Sequence, residues 1–208
     1  MTDWTRFATL GGLCAVLLAA SGALAEPLSF KEARKALPRA NAKPAIAFNE
    51  AVVPPADRAR LENASQSLGD VLGTLGEAMP SYGAVAITPS EGLFVEWLNG
   101  VGQYHNLPAA RAAALAYCNA NRQETSAPCE VLVEVAPRGA KQTDAIMLSG
   151  PANAALRGAY RKLKAPKAFA ISKSTGNFGF ERGDGGRALN ACASAGQGAS
   201  DCVIVVAD

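Results

Sequence analysis

Histidine is almost absent: the 208-residue chain contains one, His105. One imidazole cannot supply the paired histidine ligands that a histidine-based metal site needs. A hydrolase with an imidazole base would have to use His105, and no Gly-x-Ser-x-Gly nucleophile elbow accompanies it. Excess charge is lacking too, because the formal net charge is only +2. The chain therefore has no electrostatic basis for binding nucleic acid.

Long hydrophobic runs are confined to the first 25 residues. An apolar stretch there is too short to span a bilayer and ends in Ala23-Leu24-Ala25, the small-residue pattern of a signal-peptide cleavage site. We therefore predict a signal peptide over 1–25, cleaved before Glu26, with an uncleaved N-terminal anchor as the alternative. Later segments are too short or too polar to cross a membrane, so we expect a soluble periplasmic or secreted protein.

The cysteines fit such a compartment. Cys14 lies in the predicted signal peptide, and the other four form an even set, as is usual where disulfides persist. Two segments of the chain resemble each other: Ala84–Phe94 matches Ala168–Phe178, and a Leu-x-x-Cys helix motif and a cysteine-led apolar strand follow in each. If both units fold alike, the pairs are those within each unit, Cys118 with Cys129 and Cys192 with Cys202. A four-cysteine zinc site is the alternative, but it lacks the usual Cys-x-x-Cys spacing.

Each unit has the pattern strand, turn, strand, helix, strand. The sequence predicts an α+β fold of two tandem repeats, at 82–136 and 167–208, joined by a linker helix at 149–165. The repeats either share one antiparallel sheet or face each other about a pseudo-twofold axis. The last strand of each copy is almost continuously apolar, which predicts a strand covered on both sides. An N-terminal segment, 26–80, is predicted to add a short helix at 29–37 and an amphipathic helix at 56–77.

A known family shares part of this pattern. Tyr82-Gly83-Ala84-Val85-Ala86, Ala114-Leu115 before Cys118, and Cys129-Glu130-Val131-Leu132-Val133 resemble the bacterial secreted family named domain of unknown function 4189. The second copy matches more loosely, and the resemblance covers residues 82–208. It implies export and a disulfide-braced α+β unit, with no catalytic residues to carry over. Chains similar to this one sometimes bear the label 5-aminolevulinate synthase, and nothing in these residues supports that chemistry.

The candidate functional residues lie in an insertion of the first copy, 97–109. Trp97, Tyr104 and His105 cluster there and are predicted to form a binding loop, with a solvent-facing histidine and Trp97 either exposed or packed inside. Lys173-Ser174-Thr175-Gly176 resembles a penicillin-enzyme strand motif but is predicted to be a hairpin turn.

A basic helix face could touch phosphate-bearing envelope surfaces or simply be a solvated helix end; it carries Arg157, Arg161 and Lys164. The sequence thus favours an exported, non-catalytic binding or interaction protein without a cofactor or metal. Its partner would be a protein or an envelope component. The alternative is a small periplasmic hydrolase centred on His105.

Overall fold

The computed structural model describes residues 26–39, 42–63, 70, 73, 81–96, 98–141, 145–196 and 198–208. The predicted signal peptide and Trp97 lie outside these residues. The strands are β1 (Pro44–Phe48), β2 (Tyr82–Ile87), β3 (Gly100–Tyr104), β4 (Glu130–Pro137), β5 (Lys167–Ser172), β6 (Phe178–Arg182) and β7 (Cys202–Ala207). The helices are α1 (Phe30–Ala36), α2 (Pro55–Asn63), α3 (Leu107–Asn121), α4 (Gly150–Ala155, continued by a π-helical turn at Leu156–Tyr160) and α5 (Gly185–Ala193), with a 3-10 turn at Glu50–Val52.

The strands form two antiparallel sheets. The first has the order β1-β4-β2-β3 and the second has the order β6-β5-β7. The predicted α+β class is confirmed, while the arrangement in which both units share one sheet is wrong. Pairing in both sheets shifts register where the central strand meets the last strand, between Val85 and Ala86 and between Phe169 and Ala170.

Small and large residues alternate along each central strand, and this alternation separates two layers. Ala84 and Ala86 face α3, where they pack with Ala110 and Ala114. Val85 and Ile87 point to the opposite face, into a cluster of valines and leucine. Because a strand places successive side chains on opposite faces, the alanines let the helix approach closely while the larger residues fill the other layer.

The second sheet repeats this division with aromatic residues. Ala168 and Ala170 pack against Ala188 and Cys192 of α5. The other face carries Phe169, whose ring stacks on those of Phe178 and Phe180 at centroid distances of 5.7 and 5.6 Å, respectively. Tyr160 of the π-helical turn meets Phe169 edge-on at 5.6 Å and closes this core. Edge-to-face and offset contacts are the favourable aromatic geometries.

The N-terminal segment packs along the outer strands of both sheets. Ser29 begins α1 with a capping box, in which its hydroxyl accepts from the Glu32 amide and the Glu32 carboxylate accepts from the Ser29 amide. Strand β1 pairs with β4 at the edge of the first sheet. Helix α2 covers the start of the helix predicted at 56–77; residues 64–69, 71–72 and 74–77 of that prediction lie outside the described residues.

Both predicted disulfides are present. Cys118 on α3 bonds to Cys129 just before β4, and Cys192 on α5 bonds to Cys202 at the start of β7, with Cα–Cα distances of 6.1 and 6.2 Å. Each bridge therefore ties a helix to the strand that follows it.

Removing either bridge should lower stability by a similar amount. Sequence separations of 11 and 10 residues close short loops, and loops of this length contribute about 2–3 kcal/mol, mainly by restricting the unfolded chain. We expect Cys118→Ala/Cys129→Ala and Cys192→Ala/Cys202→Ala to lose comparable free energies of unfolding in urea titrations. A loss near zero for one pair would show that its bridge does not constrain the unfolded chain.

Candidate functional site

His105 follows β3 directly and precedes the first turn of α3. Its side chain is fully buried, at 0% exposure. Nδ1 accepts a hydrogen bond from the Ser149 amide at 3.0 Å, and Nε2 lies 2.9 Å from the Asn177 carbonyl oxygen. The solvent-facing histidine expected from the sequence is therefore wrong: the ring sits where the start of α4 and the turn before β6 meet the first sheet.

These two contacts define the protonation state of the ring. A carbonyl can only accept, so Nε2 carries the proton, and Nδ1 must be unprotonated to accept from Ser149. Burial lowers the pKa of His105, while the Asn177 carbonyl and the charge of Asp201 act in the opposite direction. The neutral imidazole uses both nitrogens to hold the backbone, so neither is available to abstract a proton.

The other two residues of the predicted binding loop differ in their placement. Tyr104 lies at the end of β3, half-buried, and packs against the layer between the first sheet and α3. Its pKa is raised by burial. Trp97 lies outside the described residues. Of the predicted trio, the structure thus buries His105 fully and Tyr104 partly.

The turn between β5 and β6 rests on the first sheet beside His105. The side chain of Asn106 caps α3, because its Oδ1 accepts from the Ala109 amide at 2.8 Å. Its Nδ2 donates to the Lys173 carbonyl at 3.3 Å. Gly176 lies so close to the Gln103 carbonyl that a Cβ at this position would collide with it. The Lys173–Gly176 motif therefore serves as a hairpin turn in contact with the first sheet.

The predicted basic helix face is partly used inside the fold. The Arg157 guanidinium donates to the carbonyl oxygens of Arg34, Leu37 and Pro38 at 3.1–3.2 Å, where α1 ends. Burial, followed by the charge of Arg34, lowers the Arg157 pKa. Arg157 thus satisfies the free carbonyls of a helix terminus, which leaves Arg161 as the exposed arginine of that face.

The described ranges contain no metal centre and no membrane-spanning helix. No three histidine, cysteine, aspartate or glutamate side chains there are grouped so that they could hold a metal ion. Within the same ranges, every helix is too short or too polar to cross a bilayer.

A largely apolar groove lies along β7 of the second sheet. It encloses about 610 Å³ and is lined by Leu28, Leu189, Val203, Ile204 and Val205, among other residues. Glu26 and Lys173 also line it and are the charged residues at its walls. In the described part of the chain, the outer edge of β7 has a single partner, an isolated parallel bridge between Leu28 and Val206.

The sequence did not predict this groove, because the apolar run of β7 indicated a covered strand. The apolar run of β7 predicted a strand covered on both sides, yet only Val206 is buried, and Cys202 to Val205 are half-buried. An apolar strand at the edge of a sheet is equally compatible with such a run, so the run alone could not distinguish the two cases.

Comparison of the chain with protein-family models, with curated proteins and with solved structures finds no match in any of the three.

Proposed function

We propose that this chain is an exported, non-catalytic binding protein that holds an extended apolar peptide segment in the groove beside β7. The groove itself carries the proposal: its volume of about 610 Å³ and its apolar lining fit several residues of an extended chain. The two disulfides support export, because such bridges persist in oxidising compartments.

Strand β1 shows within this chain how an extended segment can add to the edge of a sheet. In the first sheet, β1 lies antiparallel along the outer edge of β4, from Pro44 opposite Pro137 to Phe48 opposite Val133. In the second sheet, Leu28 lies beside the outer edge of β7 at Val206, and no strand pairs with the outer edge of Val203 and Ile204 in the described ranges. An incoming peptide could pair with the backbone at this edge while its alternate side chains enter the groove, as in other cases of strand addition.

We further propose that the two halves are copies of one unit. Four features support this: the orders β4-β2-β3 and β7-β5-β6 correspond, the alanine layer recurs, the register shift falls at matching positions, and the cysteine pairs match. On this proposal Leu115 of α3 is the counterpart of Leu189 of α5, since each precedes its helix cysteine by three residues. We assign binding to the second copy because its groove is larger than the matching cavity of the first copy, about 610 against 500 Å³, and because that cavity is lined by two carboxylates, Glu130 and Glu134.

The test is selection of random decapeptides displayed on phage against the oxidised protein, followed by affinity measurements on the selected peptides. We expect sequences with alternating apolar residues, and we expect Leu189→Glu to weaken binding about tenfold or more, because a carboxylate would enter the apolar groove. Leu115→Glu is the matched control, since Leu115 is also half-buried on a helix and lines a different cavity, of about 500 Å³. It should leave affinity unchanged.

Other outcomes would contradict the proposal. Failure to select any peptide would contradict the proposed peptide binding. A larger loss of peptide affinity in Leu115→Glu than in Leu189→Glu would place the site on the first sheet. Displacement of bound peptide by oleate, together with tighter oleate binding, would identify an acyl chain as the occupant instead. The hydrolase centred on His105 has no comparable support, because both ring nitrogens hold backbone groups.

A further inference from the structure

We propose that a cavity at the end of the β1–β4 ladder is a binding site for phosphate-type anions. The cavity encloses about 330 Å³ and is lined by Arg39, Ala42, Lys43 and Arg138. Three of these four residues are cationic, and none is acidic. The site lies on the first sheet and is independent of the groove beside β7.

The backbone fixes the positions of the three cations. The ladder ends where Pro44 faces Pro137, and one step further the Arg138 amide donates to the Lys43 carbonyl at 2.8 Å. Lys43 and Arg138 thus continue the antiparallel register as a directly opposed pair. Arg39 lines the same cavity, and its carbonyl accepts from the Ala42 amide at 3.0 Å.

Like charges directly opposite each other on paired strands are destabilising. Here the opposition of Lys43 and Arg138 is reinforced by Arg39 at the same cavity. A bound anion would remove this repulsion, since it would lie between the cations. The arrangement therefore lowers the stability of the empty protein and favours binding of a negative charge.

The three cationic side chains have no competing partner in the part of the chain that the structure describes. No hydrogen bond, ion pair or ring contact engages the side chains of Arg39, Lys43 or Arg138 there. Other arginines are engaged, as Arg111 is by Glu134 and Arg157 is by backbone carbonyls. All donors of the cluster thus remain available to a ligand.

The donor types define the ligand class. A guanidinium presents planar, paired donors that match two oxygens of a phosphate, and a lysine ammonium adds a point charge. Two arginines and one lysine suit an anion carrying two or three negative charges, such as a phosphate monoester or pyrophosphate. The same chemistry occurs in a free phosphate ester and in a phosphorylated lipid headgroup of the envelope.

Calorimetric titration of the full oxidised protein with pyrophosphate is the test. Sedimentation with vesicles of phosphatidylcholine, with and without phosphatidic acid, is the second arm. We expect binding to pyrophosphate, to the phosphatidic acid vesicles, or to both, and a loss of about tenfold or more for Arg138→Gln and for Arg39→Gln, because each removes a charge-assisted contact. Arg187→Gln is the matched control, since Arg187 is exposed on α5, and it should bind within about twofold of wild type.

A second readout separates this site from a structural role. Without ligand, Arg138→Gln should melt at the same temperature as wild type or higher, because it relieves like-charge opposition. Binding to pyrophosphate alone would identify a soluble phosphate ester as the ligand, and binding to vesicles alone would identify a headgroup. Absence of both, or equal losses in Arg187→Gln, would overturn the proposal.

Discussion

Gly179→Ala should destabilise the protein by about 3 kcal/mol or more, at the upper end of what overpacking costs. Gly179 lies in β6, directly beneath α5. A Cβ at this position would collide with the Cys192 amide nitrogen and would lie 2.6 Å from the Ala191 carbonyl carbon and 2.7 Å from the Ala188 carbonyl oxygen. These are backbone atoms of a helix that a disulfide anchors, so no side chain can rotate away to make room.

Urea unfolding followed by circular dichroism would measure this effect. Gly158→Ala is the matched control, because a Cβ at Gly158 would meet nothing within 4 Å. We expect that variant to be neutral or more stable by about 0.5–1 kcal/mol, since alanine restricts the unfolded chain more than glycine does. Equal stability of the Gly179→Ala and Gly158→Ala variants would show that α5 does not rest on β6 as described.

His105→Ala should cost about 3 kcal/mol or more at pH 7.5, because it leaves the buried Ser149 amide without an acceptor and opens a cavity in place of a fully buried ring. The Ser149 amide would lose its acceptor, and the Asn177 carbonyl would lose one of its two donors and keep the Ser172 amide at 2.9 Å. Both groups belong to segments that meet the first sheet at this residue. We therefore expect the variant to unfold at lower urea concentration while retaining the two disulfides.

The same residue should make wild-type stability depend on pH. Burial lowers the pKa of folded His105 below its ordinary value of 6.5, so the folded state binds fewer protons than the unfolded state. The free energy of unfolding should be highest above pH 6.5, fall as the pH drops through 6.5 towards the folded pKa, and level off below it. The physical origin of this loss is the burial of a charged imidazolium, and protonated Nδ1 could also no longer accept from Ser149.

Urea titrations between pH 5 and pH 7.5 provide the measurement. Because His105 is the only histidine in the chain, the His105→Ala variant should show a smaller change across this interval than wild type. The charge of Asp201 raises the pKa of His105, so Asp201→Asn should lower that pKa further and enlarge the total loss of stability at low pH. Wild-type stability that is constant across the interval would contradict a neutral, buried His105.

Local features of the fold were predictable from the sequence. The alternation of alanine with larger residues in 84–87 and 168–171 predicts two-faced strands, and the structure has both. The matched cysteine spacing predicts the two pairs, which are present. These inferences succeed because each depends on residues within one strand or one short loop.

Features that depend on distant contacts were not predictable. The partners of His105 lie 44 and 72 residues further along the chain, so nothing near it in sequence indicates its burial. The groove has the same origin, because the exposure of β7 depends on whether another segment covers its edge. The positions of Lys43 and Arg138 were likewise readable only once the β1–β4 register was known.

The connectivity of the disulfides has a consequence for how the protein acquires them. The four cysteines after Cys14 pair in the order in which they occur. The first bonds to the second, Cys118 to Cys129, and the third bonds to the fourth, Cys192 to Cys202. A polypeptide threaded N-terminus first into an oxidising compartment would present the first pair before the second pair emerged. Oxidation in order of arrival then yields the native bridges directly, so a thiol oxidase would suffice and no isomerase would be needed to correct them.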